Sequence, residues 1–281
     1  MPPPTPATLY ARLLTIPGNS FPRTIEKIQR LMALEASSTV IRAVITSDPM
    51  LTAMVIGQAN GSGGQPITRL SVAAEALGQG ALHGTLLQAD PVPPHLRTTI
   101  GALWQTANAT ATMVRLIAAQ CAALLPNYHP ETLHHCGLLH DLGTVVAALH
   151  FPTEHDLAAK RCAAGDGPFQ VALKQELGLH GGELGSLVAR AWNLPDPIAS
   201  VIRHHLNPSR ATNHPELAAV VHLARTMVRG LGYPGGVDRW VDPIDEKIFV
   251  MLRLRLADFD SLANRFLTEM TASELYEEVI S

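Results

Sequence analysis

Gly137-Leu138-Leu139-His140-Asp141-Leu142-Gly143 sets an adjacent histidine and aspartate inside an apolar run. A lone buried charge is costly, so such a pair asks for a metal or for hydrogen bonds. The run sits on a helix that Pro130-Glu131 opens, and His180 and the pair His204-His205 follow downstream. Working outward, strand signals are scarce, aromatic residues are 5% of the chain, and Ala and Leu recur at helical spacing. The pattern predicts an all-α fold over almost the whole sequence.

The helix boundaries follow from caps and prolines. Pro22 suits the first turn of a helix running through Ile25, Ile28, Leu31, Met32 and Leu34, and Ser37 or Ser38 caps the next. Asp48-Pro49 is a cap followed by proline at the first helical position, and that helix ends near Asn60-Gly61. Ser71 is expected to cap a short helix ending at Gly78. A long Ala-rich helix is predicted over about 99–125. Shorter ones follow at 152–164 and 169–177, then from His180 to Trp192, from Pro195 or Pro197 to His205, over 216–228, and from Pro243 onward. The proline cluster between Asp90 and Pro94 marks a boundary. The expected organisation is an N-terminal helical subdomain, 1–94, packed on an HD-like helical subdomain with a C-terminal helical extension, 95–281.

Composition bounds the function classes. The 281 residues can bury a sizeable core, and 47% hydrophobic against 16% charged residues is an ordered globular balance. A net charge of −3 gives no general polyanion-binding surface, so nucleic acid is not the expected partner. Three cysteines without CxxC spacing read as structural thiols of a reducing compartment. The N-terminus lacks a signal-peptide pattern, and no apolar run approaches the roughly 18 residues of a membrane span. The expected location is cytoplasmic.

A helical chain with His-Asp followed by scattered histidines resembles the HD superfamily of metal-dependent phosphohydrolases. Asp48-Pro49-Met50-Leu51-Thr52-Ala53, Gln58-Ala59-Asn60, Ala76-Leu77-Gly78, Leu103-Trp104, the His140-Asp141 run, His180 through Gly185, Ala191-Trp192-Asn193-Leu194-Pro195 and Ile202-Arg203-His204-His205 occur in that order. Together, over roughly 14–228, they are similar to the HDOD family, a degenerate branch of that superfamily. The resemblance implies a bacterial signalling output module of the kind found beside receiver, diguanylate-related or kinase domains, without established catalysis. A hydrolytic HD site would hold a divalent ion on imidazole and carboxylate ligands, with bound water as nucleophile. By that resemblance the first metal histidine falls at Thr106 and the last aspartate at Arg225, in His222-Leu223-Ala224-Arg225. Hydroxyl is a poor ligand for a borderline metal, and a permanent cation opposes one. The cyclic-dinucleotide phosphodiesterase branch departs further. Thr144 stands where it has lysine and Leu206 where it has glutamate, and Gly232-Tyr233-Pro234 reads as a turn.

The expectations are therefore a vestigial site of His140, Asp141, His180, His204 and His205, with Thr106 and Arg225 replacing ligands, and no metal, cofactor or catalytic residue. His140-Asp141 reads as a retained structural pair, with a surviving ligand pair as the alternative. His180 reads equally as a helix cap, and one of His204 and His205 is expected to face the old cleft. His129, His134 and His135 have no matched role and read as solvated, and Trp104 and Trp192 as core. Arg225 is expected to bond the Asp141 carboxylate in place of a metal. The leading function is a non-catalytic output module that contacts a signalling protein, an upstream receiver or sensor domain, or a small ligand. The groove between the subdomains near Asp90–Pro94 is its expected recognition site. The alternative is a metal-dependent phosphohydrolase acting on a nucleotide or cyclic nucleotide.

Overall fold

The computed structural model describes residues 6–233, 235, 238, 240–244 and 246–272. The first part runs α1 (Pro6–Leu13), α2 (Pro22–Ala33), α3 (Ser38–Ile45), α4 (Pro49–Asn60) and α5 (Leu70–Leu86). The second opens with the long α6 (Arg97–Gln120), followed by α7 (Pro130–Leu139), α8 (Leu142–His150), α9 (Pro152–Ala163), α10 (Phe169–Leu177), α11 (Gly181–Ala191), α12 (Asp196–His204), α13 (Pro215–Gly230), α14 (Glu246–Leu252) and α15 (Leu256–Ala272). This is the all-α fold read from the sequence. Two short strands interrupt it: β1 (Asn19–Ser20) pairs in parallel with β2 (Asp90–Pro91). The pair ties the lead-in of α2 to the proline cluster before α6.

Local chemistry accounts for the boundaries. Proline stands in the first turn of α2, α4, α7 and α9, where its missing N–H costs nothing. Asp48 caps α4: its Oδ1 accepts from the Leu51 amide at 3.0 Å, and its Oδ2 accepts from the Ser20 hydroxyl at 2.6 Å. The Asn60 side chain closes the loop after α4, donating to the Ile67 carbonyl and accepting from the Ile67 amide, both at 2.9 Å.

Ser71 and the His-Asp pair depart from expectation. Ser71 does not cap α5. Arg69 holds that position, and the Ser71 amide and hydroxyl both donate to the Glu131 carboxylate at the start of α7. The first helical stretch of α5 does end at Gly78, as expected. Its backbone is non-helical there, with a φ of 68°, and a second helical stretch follows to Leu86, with Leu82 and Leu86 in the core. The His-Asp pair also lies at a junction rather than within a helix: His140 ends α7 and Asp141 precedes α8.

One hydrophobic cluster runs from Leu9 to Phe266 and is shared by both parts. At one point the two parts meet backbone to backbone: a Cβ on Gly57 of α4 would lie 2.0 Å from the Trp192 carbonyl oxygen at the end of α11. Cys121, Cys136 and Cys162 are buried free thiols. Among the described residues no helix is long and apolar enough to cross a membrane.

Candidate functional site

The α7–α8 junction places His140 against His205 at the end of α12. Their rings meet edge to face, with centroids 5.1 Å apart and planes at 89°. Each Nδ1–H donates to a carbonyl three residues back: His140 to Gly137 at 2.7 Å, His205 to Ile202 at 3.0 Å. A carbonyl only accepts, so both rings, when neutral, carry their lone pair on Nε2. Both Nε2 atoms are buried and, among the described residues, meet no hydrogen-bond partner. Burial drives the His140 imidazole down to about 4, against the pull of the Asp141 carboxylate and with a push from the Arg225 guanidinium. Burial, His140 and Arg225 hold His205 well below its ordinary value. His222 of α13 closes this group, its Nδ1 donating to the His205 carbonyl at 2.8 Å.

Arg225 and Arg229, one turn apart on α13, bring two guanidiniums to the same interior. Arg225 is 1% exposed and bonds the Asp242 carboxylate. Arg229 meets the Asp238 carboxylate at 3.2 Å, the Asp238 carbonyl at 2.6 Å and, through Nε, the Trp240 carbonyl at 2.9 Å. The segment after α13 thus carries the carboxylates that neutralise both cations. This corrects the expected Arg225–Asp141 bond. The Asp141 carboxylate instead accepts from the Thr144 hydroxyl, which accepts from Gln170 Nε2 at 3.0 Å, while Gln170 Oε1 accepts from the Gly181 amide at 2.7 Å. That chain of bonds links α8, α10 and α11. The same helices touch at Gly143, where a Cβ would lie 1.9 Å from the Gly181 carbonyl oxygen.

The remaining site candidates divide. His180 caps α11: its Nδ1 accepts from the Gly182 amide at 3.1 Å and the Glu183 amide at 3.3 Å, and Glu183 accepts from the His180 amide. Half-buried His204 shares with His180 the influence of Arg203 and Arg210, whereas His205 and His140 share that of Arg225. Of the His204-His205 pair, His205 is the interior one. Thr106 is buried on α6, its hydroxyl donating to the Ala102 carbonyl at 3.0 Å. His129 is exposed, as expected, but His134 is half-buried and His135 buried. His135 Nδ1 donates to the Thr68 carbonyl at 2.9 Å, and burial lowers the imidazole to about 4. The solvated reading fails there because α7 is covered by α6 and by the loop before α5. Arg229, Asp238 and Asp242 escaped the sequence reading, and His222 was given no role there, although the i, i+4 spacing of Arg225 and Arg229 on an apolar helix was a visible signal. In the triplet 232–234, Gly232 has a φ of 94°, as a turn requires, and Pro234 lies outside the described residues. Among the described residues no three His, Cys, Asp or Glu side chains come together as they do around a bound metal.

A second feature lies where the first part meets the second. A cleft of about 940 Å³ opens between α2, α3 and the start of α6. Trp104 and Phe21 form part of its wall, edge to face at 4.7 Å.

The model of the HDOD domain matches residues 19–208. That span takes in His140, Asp141, His180, His204 and His205 and ends before Arg225. A Treponema pallidum (strain Nichols) protein described as uncharacterized is 32% identical over 97 residues, 34% of this chain. The match spans about a fifth of that protein's length (19%). Among solved structures, the MmoQ response regulator of Methylococcus capsulatus str. Bath matches with a TM-score of 0.63 at 18% identity, over 89% of this chain and 99% of that one. An HDOD domain protein from Geobacter sulfurreducens matches with a TM-score of 0.53 at 19% identity, over 97% and 95% of the two chains. At these identities the structural likeness speaks to the fold.

Proposed function

The chain belongs to the HDOD family, and on that premise we propose that it is a non-catalytic signal-transduction output module, passing on a regulatory signal by contact with a signalling partner or an adjoining receiver or sensor domain. One observation carries this reading: two guanidiniums, Arg225 and Arg229, stand in the interior that holds the His-Asp pair. As a seat for a divalent ion the donor set is poor. It offers the Nε2 atoms of His140 and His205, with His222 engaged at the His205 carbonyl, while Asp141 is engaged by Thr144 and Thr106 bonds its own helix. The positive charge a metal would supply is already present as guanidinium, paired with Asp242 and Asp238. A cation added to that interior meets repulsion as well as a shortage of ligands. His-Asp is then a structural junction, and the work of the module falls to its surfaces. That a protein of this fold is a response regulator agrees with such a role.

The test is a hydrolysis assay of the purified protein with Mn²⁺ and, in turn, a cyclic dinucleotide and a nucleoside triphosphate. The expected result is no turnover above that of buffer. Turnover that is lost in His140→Ala would make the protein a metal-dependent phosphohydrolase instead.

A further inference from the structure

The cleft between α2, α3 and α6 has an apolar wall and, in Lys27 and Arg97, two cations that meet no carboxylate among the described residues. Phe21 and Trp104 line it together with Leu31, Val40 and Val44, and Val40 is 47% exposed. Arg23 and Lys27 of α2 and Arg97 of α6 bring positive charge to the same space. Among the described residues, Lys27 and Arg97 meet no carboxylate. The one acidic side chain in the lining is Asp48, and both its oxygens are engaged, by Leu51 and by Ser20.

The placement of the cations sharpens the point. Arg23 lies in the first turn of α2 and Arg97 opens α6; neither first turn holds an acidic residue. The residues before them, Phe21 and Leu96, make no side-chain cap bond. A helix N-terminus carries a partial positive charge that favours anions, so arginines there add like charge to like. An anion seated in the cleft would meet the side chains of Lys27 and Arg97. The volume of about 940 Å³ lies within the roughly 300–1,000 Å³ of small-molecule sites, whose walls are apolar with a few polar groups that fix orientation.

We propose that this cleft binds a small organic anion with a flat apolar body, the body against Phe21 and Trp104 and the charge toward Lys27 and Arg97. The site is independent of the His-Asp interior, so its chemistry stands whether or not that interior hydrolyses anything.

The test uses anilinonaphthalene sulfonate as probe, with uncharged phenylnaphthylamine as the same ring body without the anion. Titration of the whole chain is expected to show one saturable site that prefers the sulfonate by about tenfold or more. The double variant Lys27→Ala/Arg97→Ala should lose that preference while melting like the parent. Gly101→Leu supplies a second arm. Gly101 lines the cleft, and a Cβ there meets only Phe21, at 3.7 Å, so the rest of the side chain grows into the open space. That variant should lose both probes. Absence of saturable binding, equal affinity for the two probes, a preference that survives in the double variant, or binding unaffected by Gly101→Leu would each overturn the proposal.

Discussion

The interior around His140 and the cleft beside Trp104 are both rich in cations, and they differ in what answers the charge. Inside, Arg225 and Arg229 each meet a carboxylate, brought by the segment that follows α13. In the cleft, Lys27 and Arg97 meet none among the described residues. An unpaired charge in an interior costs more than a fold can carry, so the chain must supply the partner itself. A cation at an open wall has water and stays available to a ligand. Similar side chains thus serve structure in one place and recognition in the other, and burial divides the two roles.

The largest way to break this contrast is Asp242→Ala. It strands the Arg225 guanidinium, whose side chain is 2% exposed, and should cost about 3–5 kcal/mol, toward the lower figure because Asp242 itself is one-third exposed. Lys27→Ala, by contrast, should stay within about 0.5 kcal/mol of the parent. Denaturant melts of both variants check the pair, and equal effects would erase the distinction. Next in size is Gly143→Ala, which drives a methyl into the Gly181 carbonyl and must separate α8 from α11, at roughly 2–3 kcal/mol in the same assay.

Acid should act on the interior and spare the cleft cations. Burial holds His135 and His140 at about 4, and His205 is also depressed. The unfolded chain takes up protons on these side chains near 6.5, before the folded one does. Stability is therefore expected to fall as pH drops from about 6.5 toward 4, by roughly 2 kcal/mol per fully buried histidine at pH near 5. Asp48 opposes this: burial lifts its carboxyl to about 7, so the folded chain takes that proton first and gains stability as pH falls. Thermal melts at stepped pH should show a net loss, steeper in Asp48→Asn. A melting temperature independent of pH over that window would contradict the buried, neutral histidines. Smallest is Asp141→Ala. Its carboxylate is partly exposed and accepts from Thr144 rather than from Arg225, so a loss of about 1.5 kcal/mol is expected by melting.

Much of this was legible in the chain. Proline and Asp48 mark helix starts by local chemistry that tertiary contacts do not override, the His180 cap was one of two equal readings, and the interior place of one of two adjacent histidines follows from helical spacing. What failed to show depends on distant partners. Ser71 looks like a cap, but its donors are spent on Glu131, sixty residues on. Gly78 does break the helix, but the further helical stretch to Leu86 that follows it was missed. Arg225 stands out as a misplaced cation, but its partner Asp242 arrives seventeen residues later, from an irregular segment with no period to read. The cleft was not legible: none of Asp90–Pro94, where a groove was expected, lines it, and its charge comes from α2 and α6 meeting in space.

Calorimetric titration of the whole chain with Mn²⁺ and then Zn²⁺ near neutral pH tests the central claim most directly. With Arg225 and Arg229 holding the positive charge beside His140, the expected result is no stoichiometric uptake and no rise in melting temperature. An intact site would instead bind one ion or more per chain and stabilise the fold by about 2.7 kcal/mol at a hundredfold excess over Kd. Such binding, abolished by His140→Ala, would contradict the arginine-filled interior.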